Sequence, residues 1–133
     1  MKRYLLDTSA LLTLRDDEPG AERVADLLAG AQAGSVWCGG CFISLMKVLY
    51  RVWKDEGEVT GRLAYEQCLA LPIEWLRDAD DLLEPAARFK ATYPMSLADA
   101  WIAASAEMAG AVLVHKDPEF VALPLPQETL PFK

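Results

Sequence analysis

The chain has 133 residues, of which 53% are hydrophobic and 25% charged, a length that suits one domain (residues 1–133) and not two. A formal net charge of −7 excludes binding of nucleic acid through a broad basic face, yet leaves room for a nuclease whose bound cations meet the phosphate. No apolar run approaches a membrane span, no signal-peptide core opens the chain, and three cysteines fit a reducing compartment, so a cytoplasmic protein without membrane contact is expected.

In chain order, Arg3–Leu6 reads as a strand and Ser9–Leu14 as a short helix. Between them lies Asp7-Thr8-Ser9, which puts an acid at a strand's carboxyl end, where open α/β sheets bind their ligands. Asp7 and Ser9 are equally good helix N-caps, so a purely local role stays open. Asp16–Gly20 is a turn, and Ala21–Ala31 a helix with Val24, Leu27, Leu28 and Ala31 at helical spacing. Ser35–Cys38 is a short strand. Ile43–Asp55 is a helix with Met46, Leu49, Tyr50 and Trp53 on one stripe and Gly57 as its stop.

Val59–Leu71 is the next helix, and Ile73–Leu76 a strand. Asp78–Thr92 and the alanine-rich Ser96–Ala109 are helices, the second stopped by Gly110. Ala111–His115 is a strand. The proline-rich tail Leu123–Lys133 offers at most one edge strand. Strands alternating with helices predict an α/β three-layer fold with a central, mainly parallel sheet.

Two more acids occupy comparable junctions. Asp99 shares a helix face with Ile102, Ala103 and Ala106, where a carboxylate needs a partner. Ser96 three residues earlier gives capping-box spacing, a structural reason for the same acid. Asp117 follows the strand Ala111–His115, and Pro118 after it suits an Asx turn. Each acid alone has a structural explanation. Three at the ends of elements in one sheet point instead to a shared cation, and an oxygen-only site suits Mg²⁺ or Mn²⁺. Glu119, two residues past Asp117, is a candidate supporting acid. Arg15, Arg51, Lys54 and Lys116 are candidates to guide a phosphate backbone, and surface solvation explains each of them equally well.

Trp37-Cys38-Gly39-Gly40-Cys41 carries a Cys-x-x-Cys spacing between a strand and a helix, the pattern of a thiol–disulfide oxidoreductase. No proline obviously opens a strand opposite it, as a thioredoxin fold requires. A zinc site would have only Cys68 and His115 left as ligands, both distant in sequence. Loop packing, with the thiols reduced, is the expected role.

The residues together resemble PIN-domain ribonucleases, in particular the VapC-type toxins of bacterial toxin–antitoxin pairs. The resemblance runs through most of the chain: Leu6-Asp7-Thr8-Ser9-Ala10-Leu11, Ile43-Ser44-Leu45-Met46, Leu97-Ala98-Asp99-Ala100, and Leu113 to Phe120. It implies a PIN-like fold, Asp7, Asp99 and Asp117 around Mg²⁺ or Mn²⁺, and Thr8 or Ser9 as a supporting hydroxyl. It also implies cleavage of single-stranded RNA, a homodimer, and an antitoxin that covers the site. The chain departs from the family at Lys47, where the matching segment normally carries a glutamate of the acidic site. Exchanging −1 for +1 there removes an oxygen ligand and supplies a competing ammonium, so impaired catalysis is expected. A PIN module that binds RNA or antitoxin without cutting is the alternative. The stripes Met46, Leu49, Tyr50, Trp53 and Leu63, Tyr65, Cys68, Leu69 exceed what one small sheet needs to cover it, which predicts a two-fold dimer through these middle helices.

Overall fold

Residues 1–132 are described by the computed structural model, and Lys133 at the end of the tail lies outside them. Strand β1 (Lys2–Leu6) occupies the middle of the sheet because both its faces are apolar. Tyr4 and Leu6 enter one core and Leu5 the other, the alternation that a strand imposes. The elements that follow are α1 (Thr8–Arg15), α2 (Ala21–Gln32), β2 (Val36–Cys41), α3 (Phe42–Glu56), α4 (Glu58–Leu69) and β3 (Glu74–Leu76). A short 3-10 turn, Asp80–Leu82, then leads to α5 (Leu83–Thr92), α6 (Leu97–Ala109), β4 (Val112–His115), a second 3-10 turn (Pro118–Phe120) and β5 (Gln127–Thr129).

Among the described residues, five strands form one sheet in the order β3-β2-β1-β4-β5, every neighbouring pair parallel. Helices α1 to α4 pack on one face around Val24, Leu27, Leu45, Val48 and Val52. Helices α5 and α6 cover the other with Phe89, Ile102 and Ala103, which gives the three-layer α/β architecture. The order reverses beside β1: β2 and β3 lie to one side, β4 and β5 to the other. A crevice opens at the carboxyl ends of strands where such a reversal occurs, here between β1 and β4.

Three sequence expectations shift. Strand β2 runs on through Gly39 and Gly40 to Cys41 instead of stopping at Cys38. A Cβ on Gly39 would come within 2.1 Å of the Trp37 ring and one on Gly40 within 2.5 Å of Trp75, so these glycines seat indoles and do not break the strand. The helix expected from Asp78 begins at Leu83, after the 3-10 turn, with Pro85 tolerated in its first turn. The helix expected from Ser9 begins at Thr8, capped by Asp7. On α3 the core face is Leu45, Val48 and Val52, whereas Met46 and Tyr50 are each 48% exposed and Trp53 41%. The apolar stripe singled out for a dimer is thus a face separate from the core face.

Candidate active site

Asp7 leaves β1 with extended backbone and caps α1: its Oδ1 accepts from the Ala10 amide at 2.9 Å and from the Ser9 hydroxyl at 2.7 Å. Capping and an acid at the strand end are one and the same residue. Ser9 also accepts the Lys116 amide at 2.7 Å, tying the start of α1 to the chain after β4. Asp7 is 2% exposed, and burial pushes its pKa up to about 7. The Ser9 and Ala10 bonds pull it back down, and the charges of Asp117 and Asp99 push it up again. The Thr8 hydroxyl donates to Ser44 of α3 at 3.2 Å, a buried pair that sequence reading missed.

Asp99 sits in the first turn of α6, where the Ser96 hydroxyl caps its amide at 3.1 Å. Its carboxylate is almost entirely buried, and Lys47 reaches it from α3, Nζ to Oδ1 3.1 Å. Burial raises the Asp99 pKa first, a hydrogen bond shared with Glu119 raises it further, and the Lys47 ammonium opposes both. Asp117 follows β4 by two residues and caps the turn Pro118–Phe120, its Oδ1 accepting the Glu119 amide at 3.0 Å. That Asx turn folds Glu119 back toward Asp99.

Carboxylate oxygens of Asp99, Asp117 and Glu119 lie within 4.8 Å of one another. Asp7 stands outside this group and senses it through charge. The sequence expectation groups Asp7, Asp99 and Asp117 around the cation with Glu119 as support; the structure draws Glu119 into the closest cluster because the Asx turn returns it. An oxygen-only donor set of this spacing fits a hard divalent cation, although the Lys47 ammonium already engages one Asp99 oxygen. About 530 Å³ of open space adjoins the three acids, walled by Met46, Lys47 and Tyr50 of α3 and by Ser96 and Ala98 at the start of α6. Asp7, Thr8 and Ser9 do not line it. Of the candidate guides, Arg15 is engaged by Asp16 and Glu56, and Lys116 donates to the Pro19 carbonyl at 2.7 Å. Arg51 and Lys54 are exposed on α3.

The cysteines correct the loop-packing expectation. Cys38 and Cys41 are both on β2, three residues apart, so they point to opposite faces: Cys38 joins the core under α2 and Cys41 the core under α6. All three thiols are free and buried, and burial raises each pKa away from the reactive thiolate. Neither a redox pair nor half of a zinc site can be made from two side chains on opposite faces of a sheet.

No curated protein matches the chain. Several solved structures share its fold. A chain of VapBC2 from Rickettsia felis, bound to a DNA fragment from its promoter, superposes with a TM-score of 0.78 at 18% identity, covering 97% of this chain and 99% of that one. DNA-bound VapBC from Salmonella typhimurium gives 0.76 at 20%, covering 97% and 98%. VapC20 of Mycobacterium tuberculosis, described as a toxin that cleaves the sarcin–ricin loop, gives 0.73 at 17%, covering 96% and 99%. The profile of the PIN domain matches residues 4–124, which ends before β5. Running from β1 through all four acids, that match makes this chain a member of the PIN domain family.

Proposed function

We propose that this protein is a VapC-type toxin, an endoribonuclease that cuts single-stranded RNA with Mg²⁺ or Mn²⁺, and that Lys47 impairs it. The observation that carries the reading is the convergence of Asp99, Asp117 and Glu119 in a cleft beside the sheet's switch point. The cation is assigned to Asp7, Asp99 and Asp117, with Glu119 beside them. A bound divalent cation supplies Lewis acidity to the scissile phosphate and lowers the pKa of the attacking water. The chain's own residues do the rest. Ser96 fixes the first turn of α6 and so the Asp99 carboxylate; Ser9 fixes Asp7 against the segment that bears Asp117. Without a cation, burial raises the Asp7 pKa to about 7, and a bound divalent cation would hold its carboxylate ionised. Tyr50 and Met46 on the cleft wall, with Arg51 and Lys54 farther along α3, offer an apolar and cationic approach for an unpaired strand.

The family relationship supports a cytoplasmic setting, an antitoxin partner and a homodimer. Exposed Trp53 of α3, with Leu63 and Leu69 of α4, supports an interface beside the cleft. A second reading, a PIN module that binds without cutting, is favoured by one observation: the 3.1 Å contact between Lys47 and Asp99.

Cleavage of a fluorogenic single-stranded RNA, with Mn²⁺ and with chelator, tests the proposal. Slow, Mn²⁺-dependent cutting that disappears in Asp117→Asn is expected. No cutting by either the chain or its Lys47→Glu variant would hand the site to the second reading.

A further inference from the structure

His115 is the last residue of β4, fully buried, and two residues short of Asp117. Three neighbours hold its ring. The Asp117 amide donates to Nδ1 at 3.1 Å, and Nε2 lies 2.7 Å from Oε1 of Gln127 on β5. Phe120 meets the ring edge-on at 5.1 Å between centroids.

These contacts decide the tautomer. A nitrogen that accepts an amide N–H carries no proton, so a neutral ring holds its proton on Nε2. The Gln127 side chain is oriented to receive it, because its own Nε2 donates to the Leu123 carbonyl at 3.1 Å and the Val121 carbonyl at 3.4 Å, which leaves Oε1 facing the ring. One chain of bonds therefore runs from those two carbonyls through Gln127 and His115 to the backbone of Asp117. It continues through the Asp117 carboxylate to the Glu119 amide at 3.0 Å. Two of the three clustered acids hang from it, and neither His115 nor Gln127 lines the cleft.

We propose that His115 and Gln127 are a positioning pair, with His115 neutral and protonated on Nε2, that sets Asp117 and Glu119 in the acidic cluster. The pair's effect on cation binding rests on the reading of that cluster as a metal centre; the tautomer and the anchoring of Asp117 do not.

The experiment uses the full chain labelled with ¹⁵N, in which His115 is the single histidine. Long-range ¹H–¹⁵N correlation at pH 7.5 should show an unprotonated Nδ1 and a protonated Nε2, and the Asp117 amide should exchange slowly with solvent. His115→Asn keeps an acceptor near the Nδ1 position, and His115→Leu keeps none. Asp117 amide exchange should accelerate in His115→Leu and be partly restored in His115→Asn, with circular dichroism reporting an intact fold. In the Lys47→Glu background, Mn²⁺ affinity should fall about tenfold with His115→Leu and recover in part with His115→Asn. Should His115→Leu not fold, Gln127→Met makes the same test: the Nε2 proton loses its acceptor, and Asp117 exchange should quicken.

A proton found on Nδ1, or unchanged Asp117 exchange in folded His115→Leu or Gln127→Met, would overturn the proposal. Absence of Mn²⁺ binding by the Lys47→Glu protein would instead sink the metal reading, with the ring and amide measurements still deciding the pair.

Discussion

The ammonium of Lys47 meets Asp99 within the acidic cluster proposed to hold a cation, and both side chains are largely removed from water, at 17% and 5% exposure. In such a setting the pair attracts by roughly 4 kcal/mol at an effective dielectric of 20, enough to compete with a metal. Lys47→Glu replaces the competitor by an oxygen donor, so Mn²⁺ affinity and RNA cleavage should both rise by about tenfold or more, one such step being about 1.4 kcal/mol. Lys47→Ala should recover part of the binding, and Asp7→Asn in the Lys47→Glu background should abolish the gain. Equal cleavage by the parent and Lys47→Glu, at saturating and at limiting metal, would remove Lys47 from the site. Asp7 gives a separate, pH-based expectation. Its pKa is about 7 in the fold against 3.8 for the ordinary group, so the folded state holds this proton more tightly. The stabilisation is complete below pH 4 and fades as pH rises through 7. In chelator, the melting temperature should be higher at pH 5 than at pH 8, by about 5 °C or more, and Asp7→Asn should flatten that difference. Of the candidate site, the three aspartates were legible because each sits at a recognisable junction, Asp7 and Asp117 after strands and Asp99 in the first turn of a helix. Glu119 entered as a mere supporter, and Ser44 and Gln127 not at all, because their roles depend on which elements become neighbours.

At the level of elements, strand β2 shows what a local pattern conceals. Gly39-Gly40 reads as a strand stop, yet the space a Cβ would fill is taken by the Trp37 and Trp75 rings, a packing fact with no sequence period. The Cys-x-x-Cys spacing misleads for the same reason: once β2 includes it, a three-residue step separates the thiols by the thickness of the sheet. Reductant should therefore leave the melting temperature unchanged, and a thiol reagent should modify Cys38, Cys41 and Cys68 only as the protein unfolds; fast modification in the native state would contradict this. The α3–α4 hairpin is tight at Gly61, where an added Cβ would stand 2.8 Å from the Trp53 backbone nitrogen. Since backbone cannot swing aside, Gly61→Val should force the helices apart and cost about 1–3 kcal/mol in a denaturant titration. Helical segments with strong periodicity, such as α2 and α6, matched the sequence within a residue or two. On α3 the expected stripe of Met46, Tyr50 and Trp53 faces outward, while the smaller Leu45, Val48 and Val52 face the sheet, a second apolar face that the stripe did not name.

For the molecule as a whole, alternation of strands and helices was enough to read a three-layer parallel fold, and the strand order was not, since nothing local says that β1 is central. The apolar residues left outward on α3 and α4 carry the expectation of a dimer. Light scattering across a wide concentration range should give twice the 14.7 kDa chain mass, and Trp53→Glu should give the monomer with its fold intact. A single-chain mass at every concentration would dismiss the interface. The placement of β1 has one further consequence, and it concerns time. Tyr4 pairs with Val112 and Leu6 with Val114, so the middle of the sheet closes only between segments at opposite ends of the polypeptide. Contacts of such long sequence separation are slow to form, since the intervening chain must be ordered first. A growing polypeptide on the ribosome can build the α1–α2 and α3–α4 hairpins early, yet Asp7 meets Asp117 only after every residue between them has been made. The sheet's centre thus closes late, and a half-made chain holds Asp7 without Asp99, Asp117 or Glu119.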